Sequence, residues 1–235
     1  MTRIGLAMAG LGMAAALTAC GGGDDFTDQS GQEIADASDA AMKGLDSLKV
    51  SGTITNGGQT VDIDIQTNSD GNCTGSIGVE GGSAELLGVD GVVWFKPDEA
   101  FWRANAGDTA DQMMELVGDK WVVVPEGDAG FDQFCDSDDL HDELLKNDES
   151  DSEKFTKGDT TDVDGDKAIA IDRDSEVDGK STGYILVDDP HYLVKIEKDD
   201  DGDNSGSVTF SEFDADFTVE APADEDIVDL STLGG

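Results

Sequence analysis

The chain has 235 residues, with 54 Asp and Glu against 14 Lys and Arg, a formal net charge of -40 at pH 7 and 37% hydrophobic residues. That length suits one ordinary domain with a buried core, and that charge excludes a nucleic-acid partner, because a phosphate-binding face needs clustered bases. So acidic a surface repels itself at low salt and is relieved near 1 M, where the screening length falls to about 3 Å, which fits a saline setting; a solvated surface with acidic loops accounts for the same charge.

The first element is an export signal. Arg3 precedes an apolar run over 4–17 that is too short to span a bilayer as a permanent helix and ends in small residues. Leu17-Thr18-Ala19-Cys20 resembles the lipobox of bacterial lipoproteins. The resemblance implies that residues 1–19 are removed and that Cys20 takes a diacylglyceryl thioether and an acyl chain such as palmitate. The chain is then expected to be anchored on the extracytoplasmic face of the cell membrane. More than one acyl chain gives the double signal that stable anchoring needs, each buried methylene contributing about 0.8 kcal/mol. The competing reading is an ordinary cysteine after a plain signal peptide. No later apolar run is long enough for a transmembrane helix. With Cys20 in the anchor, Cys73 and Cys135 remain, and an even pair in an exported chain reads as a disulfide. A metal or redox pair would favour a CxxC spacing, which is missing.

Residues 20–29 are rich in Gly and Asp and read as a flexible linker, with order expected from Ser30. Ser30 and Glu33 make a capping box, and Ile34, Ala37, Ala41, Leu45 and Leu48 recur at helical spacing, predicting a helix over 31–47. The period then changes to two. Strands over 50–55 and 61–66 flank Asn56-Gly57-Gly58 as a hairpin, and Val61-Asp62-Ile63-Asp64-Ile65-Gln66 alternates apolar with polar throughout. Strands follow at 73–79, 84–88 and 92–96, punctuated by Asp70-Gly71, Gly81-Gly82 and Asp90-Gly91 in the manner of an antiparallel meander.

From Asp108 the pattern is helical, with Met113, Met114, Leu116 and Val117 on one side and Gly118 as the stop. A strand is expected at 121–124 and a helix at 137–146, with Asp138 and Asp139 at its positive end and Lys146 at its negative end. After an acidic loop at 147–151, strands are expected at 167–171, 184–187, 192–197, 207–213 and 217–220, and the tail over 223–235 reads as loosely held. The fold class is α+β. About ten or eleven strands carry an apolar face, and the helices are the available covers.

Several segments together resemble LolA-like lipoproteins of the LppX and LprG type: Ser51-Gly52-Thr53, the 70–75 segment, Trp94-Phe95-Lys96, Phe101-Trp102, the 118–125 segment, the 192–197 segment and Val208-Thr209-Phe210. The resemblance spans about residues 30–222. It implies a curved antiparallel half-barrel closed by helices, with an apolar cavity in which characterised members hold the acyl chains of lipids or glycolipids. The cavity lining expected on that basis is Val61, Ile63, Ile65, Val92, Trp94, Val194, Ile196, Val208 and Phe210.

Other motifs weigh less. The stretch 201–212 matches a calcium loop, with Asp201, Asp203, Ser205 and Glu212 as its ligands. Its flanks favour strands rather than helices, so a β-hairpin with an acidic turn is the better reading. Asp162-Val163-Asp164-Gly165-Asp166 reads as a turn. The only histidines, His141 and His191, read as surface residues, and no nucleophile elbow, phosphate loop or zinc ligand set appears. Neither an enzyme nor a cofactor is indicated. Trp94, Trp102, Trp121, Phe95 and Phe101 would serve either as an aromatic platform or, by default, as packing. The residues thus leave two readings for what is expected to be a monomer. One is a lipid- or apolar-ligand-binding envelope lipoprotein; the other is a non-catalytic structural or interaction lipoprotein with a packed core.

Overall fold

Residues 26–125, 132–137, 139–141, 153–176, 179–199 and 205–230 are described by the structure, a computed structural model. The leader, Cys20, Asp201 and Asp203, residues 142–151 and residues 231–235 lie outside them. The helices are α1 (Gly31–Met42), α2 (Glu99–Asn105) and α3 (Ala110–Val117). The strands are β1 (Ser47–Asn56), β2 (Gln59–Asn68), β3 (Cys73–Val79), β4 (Gly82–Val89), β5 (Val92–Pro97), β6 (Trp121–Val123), β7 (Lys154–Val163), β8 (Asp166–Ser175), β9 (Gly179–Leu186), β10 (Leu193–Asp199), β11 (Ser205–Ser211) and β12 (Ile227–Val228).

Among the described residues the twelve strands join one curved sheet in the order β12-β6-β5-β4-β3-β2-β1-β11-β10-β9-β8-β7. Two meanders, β1 to β6 and β7 to β11, are zipped together by the antiparallel β1–β11 pair. Every pairing is antiparallel except β12 on β6. Glycines bend the sheet. A Cβ at Gly52 would collide with the Ser207 carbonyl of β11, and one at Gly75 with the Asp64 carbonyl of β2. Neighbouring strands therefore lean over each other on the inner side, as a half-barrel requires.

The alternation read in β2 decides which face is which. Val50, Ile63, Ile65, Ile77, Leu86, Val208 and Phe210 are buried on the concave face, whereas the convex face carries hydroxyls and charges. There Ser51 and Thr209 share a hydrogen bond of 2.9 Å, Thr53 Oγ1 donates to Asp62 at 2.6 Å, and Lys49 pairs with Asp64 at 3.0 Å.

The predicted capping box holds: Glu33 N donates to Ser30 Oγ at 3.3 Å and Ser30 N to Glu33 Oε2 at 2.9 Å. The helix stops at Met42 rather than near residue 47. Leu45 and Leu48 are buried as predicted, but they belong to the following turn and to β1. α1 presents Ile34, Ser38 and Met42 to the sheet, across the β7–β10 half of the concave face. The predicted helix at 137–146 is seen at Ser137 and 139–141, where Leu140 is buried in the main core. Cys73 and Cys135 form the predicted disulfide, with Cα atoms 4.8 Å apart.

Five expectations give way. β7 and α2 are additional to those predicted, and 217–220 is not a strand. The supposedly loose tail forms β12 and seats Leu230 against the α2–α3 cluster. Order also starts before Ser30, in a turn over Phe26–Asp28 whose Phe26 ring stacks on His191 at 3.6 Å, while Lys157 Nζ donates to the Thr27 carbonyl at 2.6 Å.

Candidate ligand-binding site

Register sorts the concave side of β1 to β5 into rows. At the end that carries the Gly57-Gly58 turn, Ile54, Val61 and Val79 stand side by side and are only half-buried. One step in, Gly52, Ile63, Ile77 and Ala84 form the next row, and its three side chains are buried. Below it lie Val50, Ile65 and Leu86, all essentially inaccessible, and then Leu48, Thr67 and Cys73. Burial thus deepens from a half-open aliphatic rim to a floor tied by the disulfide.

The predicted lining residues divide. Val61, Ile63, Ile65, Ile196, Val208 and Phe210 share the concave face. Val194 does not join them: the β9–β10 register shifts between Leu193 and Lys195, and the bulge puts Leu193 into the core instead. Val92 and Trp94 are on the convex side. Leu86 pairs with Phe95 and Leu87 with Trp94, so Val93 and Phe95 face inward while Val92 is 46% exposed. The run Val92-Val93-Trp94-Phe95 is apolar on both faces, and only pairing reveals its phase.

The aromatic group separates in the same way. Trp94 pairs with Val123, so Trp94 and Trp121 share the convex side, with the Lys96 ammonium 5.9 Å from the Trp121 ring. Phe95, Phe101 and Trp102 come together on the concave side with ring centroids 6.1–6.5 Å apart. α2 owes its position to local chemistry. Asp98 caps it by accepting from Phe101 N at 2.7 Å, and it lies so close to β4 that a Cβ on Gly82 would collide with the Phe101 backbone. Gly82 pairs with Val79, so α2 sits beside the half-open rim. Under α2 and α3, Trp102, Ala110, Val117 and Val122 make a second apolar cluster, flanked by Met113 and Met114. Phe95 packs against both this cluster and the main core.

Electrostatics concentrate outside the concavity. On the convex face Lys195 and Tyr184 both hydrogen-bond Glu197, the tyrosine hydroxyl at 2.7 Å. The Lys195 bond, then the Tyr184 bond, hold the Glu197 carboxyl below its ordinary range, and the bond to Glu197 pushes the Tyr184 phenol up. The histidines are less exposed than predicted. His141 is 9% exposed, with Nε2 3.4 Å from Asp39, and His191 is held between Phe26, the Leu186 carbonyl and Asp189.

Among the described residues no group of three or more His, Cys, Asp and Glu is placed to hold a metal ion, and no helix is long and apolar enough to cross a membrane. Ser205 and Glu212 of the calcium-loop match bracket β11. A seven-residue strand spreads its ends about 20 Å, so the two cannot converge on one ion.

No protein-family model and no curated protein sequence matches the chain. Solved structures do. LprF from Mycobacterium bovis aligns with a TM-score of 0.53 at 18% identity, over 82% of this chain and 97% of its own. The Mycobacterium tuberculosis lipoprotein LppX aligns with a TM-score of 0.52 at 14% identity, over 81% of this chain and 98% of its own. The alternating concave face, the helices laid across it and these alignments agree: the chain has the curved half-barrel fold seen in LprF and LppX.

Proposed function

We propose that this protein is an extracytoplasmic lipoprotein, anchored to the cell membrane through Cys20, that receives the hydrocarbon part of a lipid or other apolar ligand on its concave face. The role is binding and carriage rather than catalysis. The observation that carries it is the graded concavity: Ile54, Val61 and Val79 form a half-open apolar rim beside α2, continuous with fully buried aliphatic side chains beneath. An alkyl chain laid there leaves water at a gain of about 25 cal/mol per Å² of apolar area. α1 already fills the β7–β10 half, so the ligand's place is the half under α2 and α3. The likeness in fold to two mycobacterial lipoproteins supports the envelope setting.

The test is native mass spectrometry of the chain from residue 21, which retains every described residue, expressed with its disulfide in a host supplying ordinary phospholipids. A reproducible adduct of acyl-lipid mass, lost on Val79→Trp, is the expected result. A clean apo mass with no uptake on titration refutes the carrier role. It would favour the packed-core interaction protein, for which the inaccessible Ile34, Ile65 and Leu140 speak.

A further inference from the structure

Trp102 is 7% exposed, and its indole Nε1 is buried with no hydrogen-bond partner. Such a group is costly. A buried tryptophan N–H ordinarily finds an acceptor, and an unmet donor gives up the free energy of the water it lost. A trapped water would need two or more polar partners, and the side chains clustered with Trp102 include Ala110, Val117, Val122, Phe95, Met113 and Met114. Ser38, Thr67 and Ser137 have hydroxyls that rotate, and the His141 Nε2 lies 3.4 Å from Asp39 Oδ1, whereas the Trp102 indole N–H is fixed by its ring. The ring is itself held, tilted against Phe95 at 6.1 Å and edge-on to Phe101 at 6.4 Å, on a helix wedged against Gly82.

We propose that the indole N–H of Trp102 is the polar contact of the ligand site, donating to a carbonyl oxygen of an acyl ester or amide whose hydrocarbon chain runs past Phe95 into the main apolar cluster. The inference rests on the carrier reading above and narrows it to ligands that bring an acceptor beside an alkyl chain. Pockets of this kind are apolar with few polar groups, and those few decide what is accepted. Met113 and Met114 give a wall that adapts to different head groups.

The experiment uses the unlipidated chain from residue 21 and two probes of equal length, methyl palmitate and octadecane, each displacing the uncharged dye Nile red. Wild type is expected to prefer the ester by about five- to a hundredfold, the range an unmet buried donor allows, and Trp102→Phe to erase that preference whatever it does to the affinity for octadecane. A second readout needs no variant: the Trp102 indole ¹⁵N–¹H resonance of wild type should move downfield with methyl palmitate and stay put with octadecane. Equal affinities in wild type, or a preference that survives Trp102→Phe with a still resonance, overturns the assignment while leaving a carrier. Failure of both probes to displace the dye overturns the carrier reading itself.

Discussion

Gly88 stands opposite Cys73 in the β3–β4 ladder, and a Cβ on it would lie 2.9 Å from the Cys73 Sγ and 3.0 Å from the Cys135 Sγ. The bridge that ties the 132–141 segment to the sheet therefore depends on the absence of a side chain one strand away. A cross-link spanning 62 residues contributes about 4 kcal/mol in the chain-entropy account. Gly88→Ala is expected to raise the fraction of free thiols after oxidative refolding and to lower stability by up to that amount. Thiol titration of the denatured protein, paired with a urea melt, gives the answer; a fully oxidised variant with an unchanged midpoint would remove the argument.

The two faces of β5 and its neighbours offer a direct contrast. Val79 is half-buried on the concave rim, and Val92 is 46% exposed on the convex side. Val79→Trp should fill the rim and weaken displacement of Nile red by methyl palmitate about tenfold or more, since a crowded apolar site has little room to repack. Val92→Trp should change affinity by less than about twofold, as substitutions on an open surface do. The reverse order would place the ligand on the convex side.

Much of this architecture is legible along the chain because one physical pattern dominates. In β2 the alternation from Val61 to Gln66 states which side is wet, and Gly57-Gly58 marks the turn. β7 escapes that logic: as an edge strand with nearly every residue exposed, it has no apolar set to reveal it, and its Lys and Asp residues blunt the free edge. α2 is too short for periodicity, although Pro97-Asp98 ahead of it is a readable cap signal. The phase of Val92 to Phe95 and the bulge at Val194 are set by partners far away in sequence. The orphaned nitrogen of Trp102 depends on where α2 docks, which no local pattern records.

Glu197 gives a pH prediction with a defined sign. Its carboxyl is held below the ordinary range by Lys195 first and Tyr184 second, so the folded state prefers the ionised form. That preference adds stability at pH above the unfolded carboxylate value and is lost as pH falls through the lower folded value. Glu197→Gln should thus be less stable than wild type at pH 7, with the gap closing below about pH 4. The carboxylate is 39% exposed, so screening holds the gap under about 1 kcal/mol. Chemical denaturation at a series of pH values decides it, and a gap that widened toward acid would contradict the arrangement.

Salt should act on this protein against the usual expectation for ion pairs. Surface pairs such as Lys49–Asp64 and Arg103–Glu99 weaken as ions screen them, each losing a few tenths of a kcal/mol at most. Fourteen bases cannot partner 54 acids, so most carboxylates meet other carboxylates, and the long-range term is repulsive. Raising sodium chloride from about 20 mM to 1 M shortens the screening length from roughly 20 Å to about 3 Å, which removes far more repulsion than attraction. A net gain of about 2 kcal/mol corresponds to a melting temperature higher by roughly 4–8 °C for a domain of this size. Because salts also strengthen apolar burial, the control is an equal series with an uncharged osmolyte such as sucrose. The electrostatic account requires most of the rise to come below about 0.3 M and to be absent from the osmolyte series. A melting temperature that is flat or falls over that range would mean that the acidic groups are already compensated in the folded state.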